Sequence, residues 1–276
     1  MTFHQKLAAA ATRNDSLLCV GLDIEPDMMA ERDILAFLRE VVAATADQVC
    51  AYSAHLGFYE SLGSEGTTIL EAFRSFIPSD VPVVALAYRS EQSLASSFSA
   101  RGIYDVFGFD AVTVNPYGGL DAIEPFVAYR DKGVFVLCRT NNRDADAIQC
   151  LPVQTAGGTE PLFLSIAAKA REWNDYGNVG LVVSPLLPAD LQQVRARCPD
   201  QVILVPEIGP MSGGYTAAVR DGLDAAGRGV MINLARPVLY ASRSENYAEA
   251  AHAAAERLRK RLNTGRTAEP SDGISG

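Results

Sequence analysis

Eight short runs of β-branched and other apolar residues recur along this chain, each separated from the next by a stretch with helical apolar spacing. They read SLLCVGLD, VCAYSA, VPVVALA, AVTVN, GVFVLC, NVGLVV, QVILVP and GVMINL, and extend from Ser16 to Leu234. Near-continuous apolar runs of this length suit strands buried on both faces, as in a parallel sheet covered by helices. Strands alternating with helices are joined by right-handed crossovers, and eight such units predict a closed α/β structure, the (β/α)8 TIM barrel. An open doubly wound sheet would carry a glycine-rich first turn, and the run CVGLDIEP holds no G-x-G-x-x-G. The chain has 276 residues, 48% of them hydrophobic, which is enough for one barrel domain over residues 1–265. The remaining tail, 266–276, is rich in Gly, Ser and Pro, and too polar to offset the entropy of ordering, so it is expected to be disordered.

Charge narrows the partners. The formal net charge of -9 argues against nucleic acid and against an anionic membrane surface, both of which need basic patches. An anionic small molecule must therefore be held by a few placed groups. The five cysteines, Cys19, Cys50, Cys138, Cys150 and Cys198, form no C-x-x-C pair, and their odd number favours reduced thiols in a cytoplasmic protein. No apolar run is long enough to span a bilayer, and the N-terminal stretch has no signal-like apolar region, so a cytoplasmic location is expected.

In such barrels the chemistry lies at the C-terminal ends of the strands. In chain order those ends offer Asp23, then Ser53 and His55, then Tyr88, Arg89 and Glu91, then Thr113, Asn115, Pro116 and Tyr117. Arg139 and Thr140 follow the fifth run and Ser184 the sixth; the last two lead into PEIGPMSGG and NLARPVLYAS. The glycine-rich turn with Gly209 and Gly213 exposes backbone N–H groups for an anion, and Arg236 supplies a guanidinium fork, which together form the usual phosphate position of a barrel. The structural alternative is a plain turn, with Arg236 paired to a surface carboxylate.

The blocks CVGLDIEP, SAHLGFYESLG, DAVTVNPYGG, GVFVLCRTNN, VGLVVSPLLP, VPEIGPMSGG and INLARPVLYA resemble, in order and spacing, the orotidine 5′-phosphate decarboxylases, specifically the longer bacterial branch. The resemblance covers roughly residues 5–260. It implies a homodimeric barrel that works on a pyrimidine nucleotide without cofactor or metal. It places Asp23 at the ribose hydroxyls, Thr113 and Pro116 near base and sugar, and Arg236 at the phosphate; the loop after the third strand, around Ser93–Ser97, would reach the partner's site.

The departures from that pattern fall on the chemistry. Where the family has Lys-Pro-Asn after the second strand, this chain has Ser53, Ala54 and His55. Where it has Asp-x-Lys-x-x-Asp, this chain has Leu86, Tyr88 and Glu91, and the glutamine of Pro-Gly-x-Gly-x-Gln is Met211. Decarboxylation needs a cation beside the carbanion-like centre, and a neutral phenol forfeits a charged donor, on the order of 10²–10³ in rate. Ordinary orotidine phosphate decarboxylation is therefore not expected.

His55, Tyr88, Glu91 and Glu207 form a candidate acid–base set for proton transfer, elimination or hydrolysis, with Ser53, Thr140, Ser184, Gly209, Met211 and Gly213 completing the ligand contacts. The expected setting is modified-nucleoside biosynthesis from a UMP-like nucleotide or sugar phosphate. Each residue has a structural alternative: His55 bonded to a backbone carbonyl, Tyr88 filling the space left by a lysine, Glu91 paired with Arg89 or Arg101. Two other functions stay open, a catalytically silent nucleotide-binding protein and a decarboxylase for a different acid that uses Arg89 or Arg139. No metal is expected, because Glu91 stands without the further oxygen ligands a hard cation wants.

Overall fold

Each of the eight apolar runs forms a strand that is buried along most of its length, with partly exposed residues at the ends of the second and third. The computed structural model describes residues 1–29, 32–206 and 214–267. In chain order its strands are β1 (Leu18–Gly21), β2 (Ala51–His55), β3 (Val83–Arg89), β4 (Ala111–Val114), β5 (Gly133–Arg139), β6 (Pro152–Thr155), β7 (Gly158–Pro161), β8 (Val179–Val183), β9 (Ile203–Val205) and β10 (Val230–Leu234). All but β6 and β7 close into a parallel barrel in the order β1-β10-β9-β8-β5-β4-β3-β2. Closure is direct: Leu18 of β1 pairs with Ile232 of β10 on one side, and Cys19 with Ala51 of β2 on the other. No barrel edge is left to be paired by another chain. The single-domain barrel expected from the sequence is thus observed.

The period-two alternation of a strand separates two apolar layers. Cys19, Val84, Phe135, Val182, Leu204 and Met231 pack together in one cluster, while their strand neighbours Val20, Val83, Ala85, Val134, Val136 and Ile232 belong to a second. That second cluster includes Leu38 and Val41 from helix Ile34–Thr45 and Phe73 from helix Ser64–Phe76. The first lines the barrel interior; the second joins barrel to helices.

Helix Phe3–Arg13, which the sequence reading did not foresee, covers the N-terminal end. Thr2 and Gln5 form its capping box, satisfying two amide donors reciprocally. The ring of Phe3 lies edge-on to Phe135 at 5.7 Å, and Lys6 is bonded to both oxygens of Asp110 at 2.9 Å. Asp110 precedes β4, so this helix ties down the N-terminal end and the C-terminal end remains the mouth. The antiparallel β6–β7 hairpin was also unforeseen; it turns through Gly158 at φ +119°, and Thr155 Oγ1 donates to the Gly158 carbonyl.

The alanine-rich stretch near the end forms helix Tyr247–Thr264, as its apolar spacing predicts. Arg266, assigned to the disordered tail from sequence, is ion-paired with Asp15 at 2.8 Å, so the ordered chain continues past 265. Residues 268–276 of that expected tail lie outside the described residues. Among the described residues no helix is long and apolar enough to cross a membrane.

Candidate active site

The mouth is shaped first by an irregularity in β3. Pairing between β3 and β4 is in step at Ala85 and Val112, then shifts so that Arg89 meets Val114. The bulge carries Tyr88, whose φ of +48° is left-handed and unusual for a bulky side chain. Thr113 holds it there: its Oγ1 accepts from the N–H of Ala87 at 2.9 Å and of Tyr88 at 3.1 Å. Thr113 itself is fully buried, so its hydroxyl serves the backbone of β3. Burial, reinforced by the Asp23 carboxylate, pushes the Tyr88 phenol up to about 12, which keeps it a neutral hydrogen-bond donor at neutral pH.

His55 ends β2 beside that phenol, with ring centroids 5.9 Å apart, and its other neighbour is Phe58 at 5.6 Å. The His55 N–H donates to Asp23 Oδ1 at 2.9 Å, which joins the ends of β1 and β2. Burial lowers the imidazole pKa, against a smaller upward pull from Glu60, so the ring is neutral at pH 7. Among the described residues its Nδ1 is buried with no hydrogen-bond partner, and so is Oε2 of Glu91 in the loop after β3. Unmatched buried polar atoms cost free energy, and at a barrel mouth they are the atoms a ligand can satisfy. The backbone-bonded alternative for the His55 ring is therefore not what Nδ1 does. Arg89 does not pair with Glu91; it bonds Glu60 at 2.5 Å.

Arg236 follows β10. Gly21 permits the approach of the β1 and β10 ends, because a Cβ there would lie 2.8 Å from the Cβ of Ala235. The guanidinium grips Glu25 with both prongs, Nε to Oε1 at 2.7 Å and Nη2 to Oε2 at 3.0 Å. Tyr240 braces the same corner: its hydroxyl donates to the Asp23 carbonyl at 3.0 Å and accepts from the Glu25 N–H at 2.7 Å. The carboxylate partner considered for Arg236 in the sequence is thus present and is Glu25. Glu207, Gly209, Met211 and Gly213, which include the phosphate turn expected from the sequence, lie outside the described residues.

The other expected contacts divide between mouth and interior. Pro116 opens the 3-10 turn Pro116–Gly118 at the end of β4, partly exposed. Ser53 lies within β2, fully buried, and its hydroxyl donates to Asn233 Oδ1 at 2.8 Å. Ser184 is buried too, and its Oγ accepts from Leu186 N–H at 3.3 Å. Thr140 is bonded twice to Gln149, at 2.9 Å through its N–H and at 2.9 Å through its hydroxyl. Arg139, only 2% exposed, reaches Asp190 at 2.7 Å, Asp146 at 2.6 Å and Gln149 at 3.1 Å. Glu25, Tyr240, Asn233 and Gln149 were not singled out in the sequence, and their spacing gives no local sign of these roles.

Known proteins fit this geometry. Residues 99–253 match the family model described as "Orotidine 5′-phosphate decarboxylase / HUMPS family". A protein of Thermomicrobium roseum named orotidine 5′-phosphate decarboxylase is 45% identical over 268 residues, covering 94% of each chain. The chain belongs to the orotidine 5′-phosphate decarboxylase family. A second relative of that name, from Dehalococcoides mccartyi, is 39% identical over 95% of this chain and 98% of its own. The solved structure of Leishmania donovani OMP decarboxylase superposes with a TM-score of 0.85 at 34% identity, covering 98% of this chain and 100% of that one. The relatives that carry this name are decarboxylases, enzymes of the lyase class.

Proposed function

We propose that this chain is a divergent family member that binds a pyrimidine nucleotide or related ribosyl phosphate, UMP-like in character, and acts on it by acid–base, lyase-type chemistry. Its setting is modified-nucleoside biosynthesis, and it does not perform ordinary orotidine phosphate decarboxylation. The observation that carries this reading is the charge at the end of β3: Tyr88 is a neutral phenol where the family resemblance places a lysine. The two arginines considered as replacements for that cation are engaged elsewhere, Arg89 with Glu60 and Arg139 with Asp146 and Asp190. That weakens the alternative of a decarboxylase for a different acid. The stretch matched by the family model begins at residue 99, after His55, Tyr88 and Glu91.

In this reading the Glu91 carboxylate takes a proton from the ligand, and His55 takes that proton up and returns it to the departing group, each of the two having a buried atom unmatched among the described residues. Tyr88 donates a hydrogen bond, and Asp23 and Arg236 hold the ribosyl and phosphoryl groups. Glu207 joins the set as a second carboxylate. One observation favours a catalytically silent nucleotide-binding protein instead: a phenol raised to about 12 is a poor proton donor.

A homodimer accompanies the proposal. Leu94 and Phe98 on helix Ser93–Arg101 are 74% and 65% exposed, and Tyr117 and Leu120 in the neighbouring segment are 91% and 44% exposed. Such an apolar face suits burial against a second copy next to the loop after β3.

The test is turnover. Orotidine 5′-phosphate at micromolar enzyme should show no loss of its ultraviolet absorbance, whereas conversion at an ordinary enzymatic rate contradicts the proposal. Product analysis with uridine nucleotides then separates enzyme from silent binder, and Glu91→Gln should abolish any turnover found; unchanged turnover removes Glu91 from the mechanism.

A further inference from the structure

The Arg236 fork meets both oxygens of Glu25, at 2.7 and 3.0 Å, in the bidentate manner by which a guanidinium holds two oxygens of a phosphate. The carboxylate therefore takes one edge of the guanidinium, Nε and Nη2, that a phosphoryl group would use. It is well placed to stay there. The Glu25 N–H is bonded to Tyr240, the main chain is extended at φ -116°, and Pro26 follows, so the backbone is fixed. Only side-chain torsions separate the paired carboxylate from a swung-out one.

Resting on the reading that this mouth takes a ribosyl phosphate, we infer that Glu25 is a specificity-determining residue that competes with the ligand's phosphoryl group for Arg236. Each phosphorylated ligand must displace the carboxylate, and a ligand without phosphate need not. The pair is partly exposed, with side chains 63% and 24% accessible for Arg236 and Glu25, so the displacement cost is modest. A second cost is added after displacement, because Glu25 stays on the same braced loop, within a screening length of the phosphate dianion. Both costs lower the preference for nucleotide over nucleoside below what Arg236 alone would give.

The experiment compares dissociation constants of UMP and uridine for the wild type, Glu25→Gln and Glu25→Ala at low salt, with thermal unfolding to confirm the fold of each. Glutamine keeps the shape and removes the charge. Both variants should bind UMP about three- to tenfold tighter with uridine unchanged, and the gain should shrink at high salt. In Arg236→Ala, UMP should lose its advantage over uridine, and adding Glu25→Gln should give no further gain. UMP affinity unchanged or weakened in both Glu25 variants, while the wild type binds, overturns the inference and leaves the nucleotide reading intact. An equal gain for uridine also overturns it, since the phosphoryl group is then not the competitor. If no variant binds either ligand, the nucleotide reading fails and takes this inference with it.

Discussion

Thr113 Oγ1 receives the Tyr88 N–H at 3.1 Å, and the same oxygen receives Ala87 N–H at 2.9 Å, so one buried hydroxyl fixes the β3 bulge that presents the phenol. Thr113→Val keeps the shape and leaves both amides without their acceptor, a loss of about 1–3 kcal/mol. Urea unfolding should show a lower midpoint at constant slope, and Thr113→Ser should recover most of the loss. Equal midpoints for Val and wild type would show that water satisfies those amides.

Tyr88 itself sits at φ +48°, where a β-branched side chain is strained and asparagine is tolerated. Tyr88→Val should be less stable than Tyr88→Asn by about 1–2 kcal/mol despite valine's greater hydrophobicity. The reverse order would mean that the bulge relaxes once the tyrosine is gone.

Arg139 holds the end of β5 to helix Pro188–Arg197 through Asp190 and to helix Asp146–Gln149 through Asp146 and Gln149. Arg139→Met leaves the Asp190 carboxylate, 20% exposed, without its fork and should cost about 3 kcal/mol. Arg139→Lys should recover little of it, because an ammonium cannot reproduce three directed bonds. A near-neutral Arg139→Met variant, measured by chemical unfolding, would return Arg139 to the list of cations available for chemistry.

Burial lowers the pKa of His4 and of His55, the latter against Glu60. Both take a proton more readily in the unfolded chain, near the ordinary value of about 6.5, than in the folded one. Their contribution to stability is therefore present above about pH 6.5 and lost as pH falls through that value toward their lower folded values. Melting temperature should drop between pH 7 and pH 5, and the drop should be shallower in His4→Gln and His55→Gln. An equally steep drop in both variants assigns the loss to other groups.

The barrel was legible because each strand is a near-continuous buried run, and the family blocks carried Asp23, His55, Tyr88 and Arg236 to one mouth. What the sequence hid has physical reasons. Ser53 and Thr113 sit inside strands whose polar atoms are consumed by Asn233 and by the β3 backbone, and a serine or threonine reads the same whether it faces a ligand or a neighbouring chain segment. Arg139 looks like a free mouth cation until three partners, from 7 to 51 residues away, are brought around it. Glu25 and Arg236 lie 211 residues apart and meet only because the barrel closes β1 on β10. The first helix did leave a local trace, the Thr2 and Gln5 capping box, as did the β6–β7 turn in its Gly157–Gly158 pair.

The central claim, a mouth that holds a uridine nucleotide, is tested most directly by thermal unfolding with UMP, orotidine 5′-phosphate, CMP, AMP, ribose 5-phosphate and inorganic phosphate, each at millimolar concentration. A ligand at about 100 times its dissociation constant adds roughly 2.7 kcal/mol, a rise of several degrees for a chain of this size. The account predicts selective stabilisation by the uridine nucleotides. A melting temperature that none of the six ligands moves would contradict it.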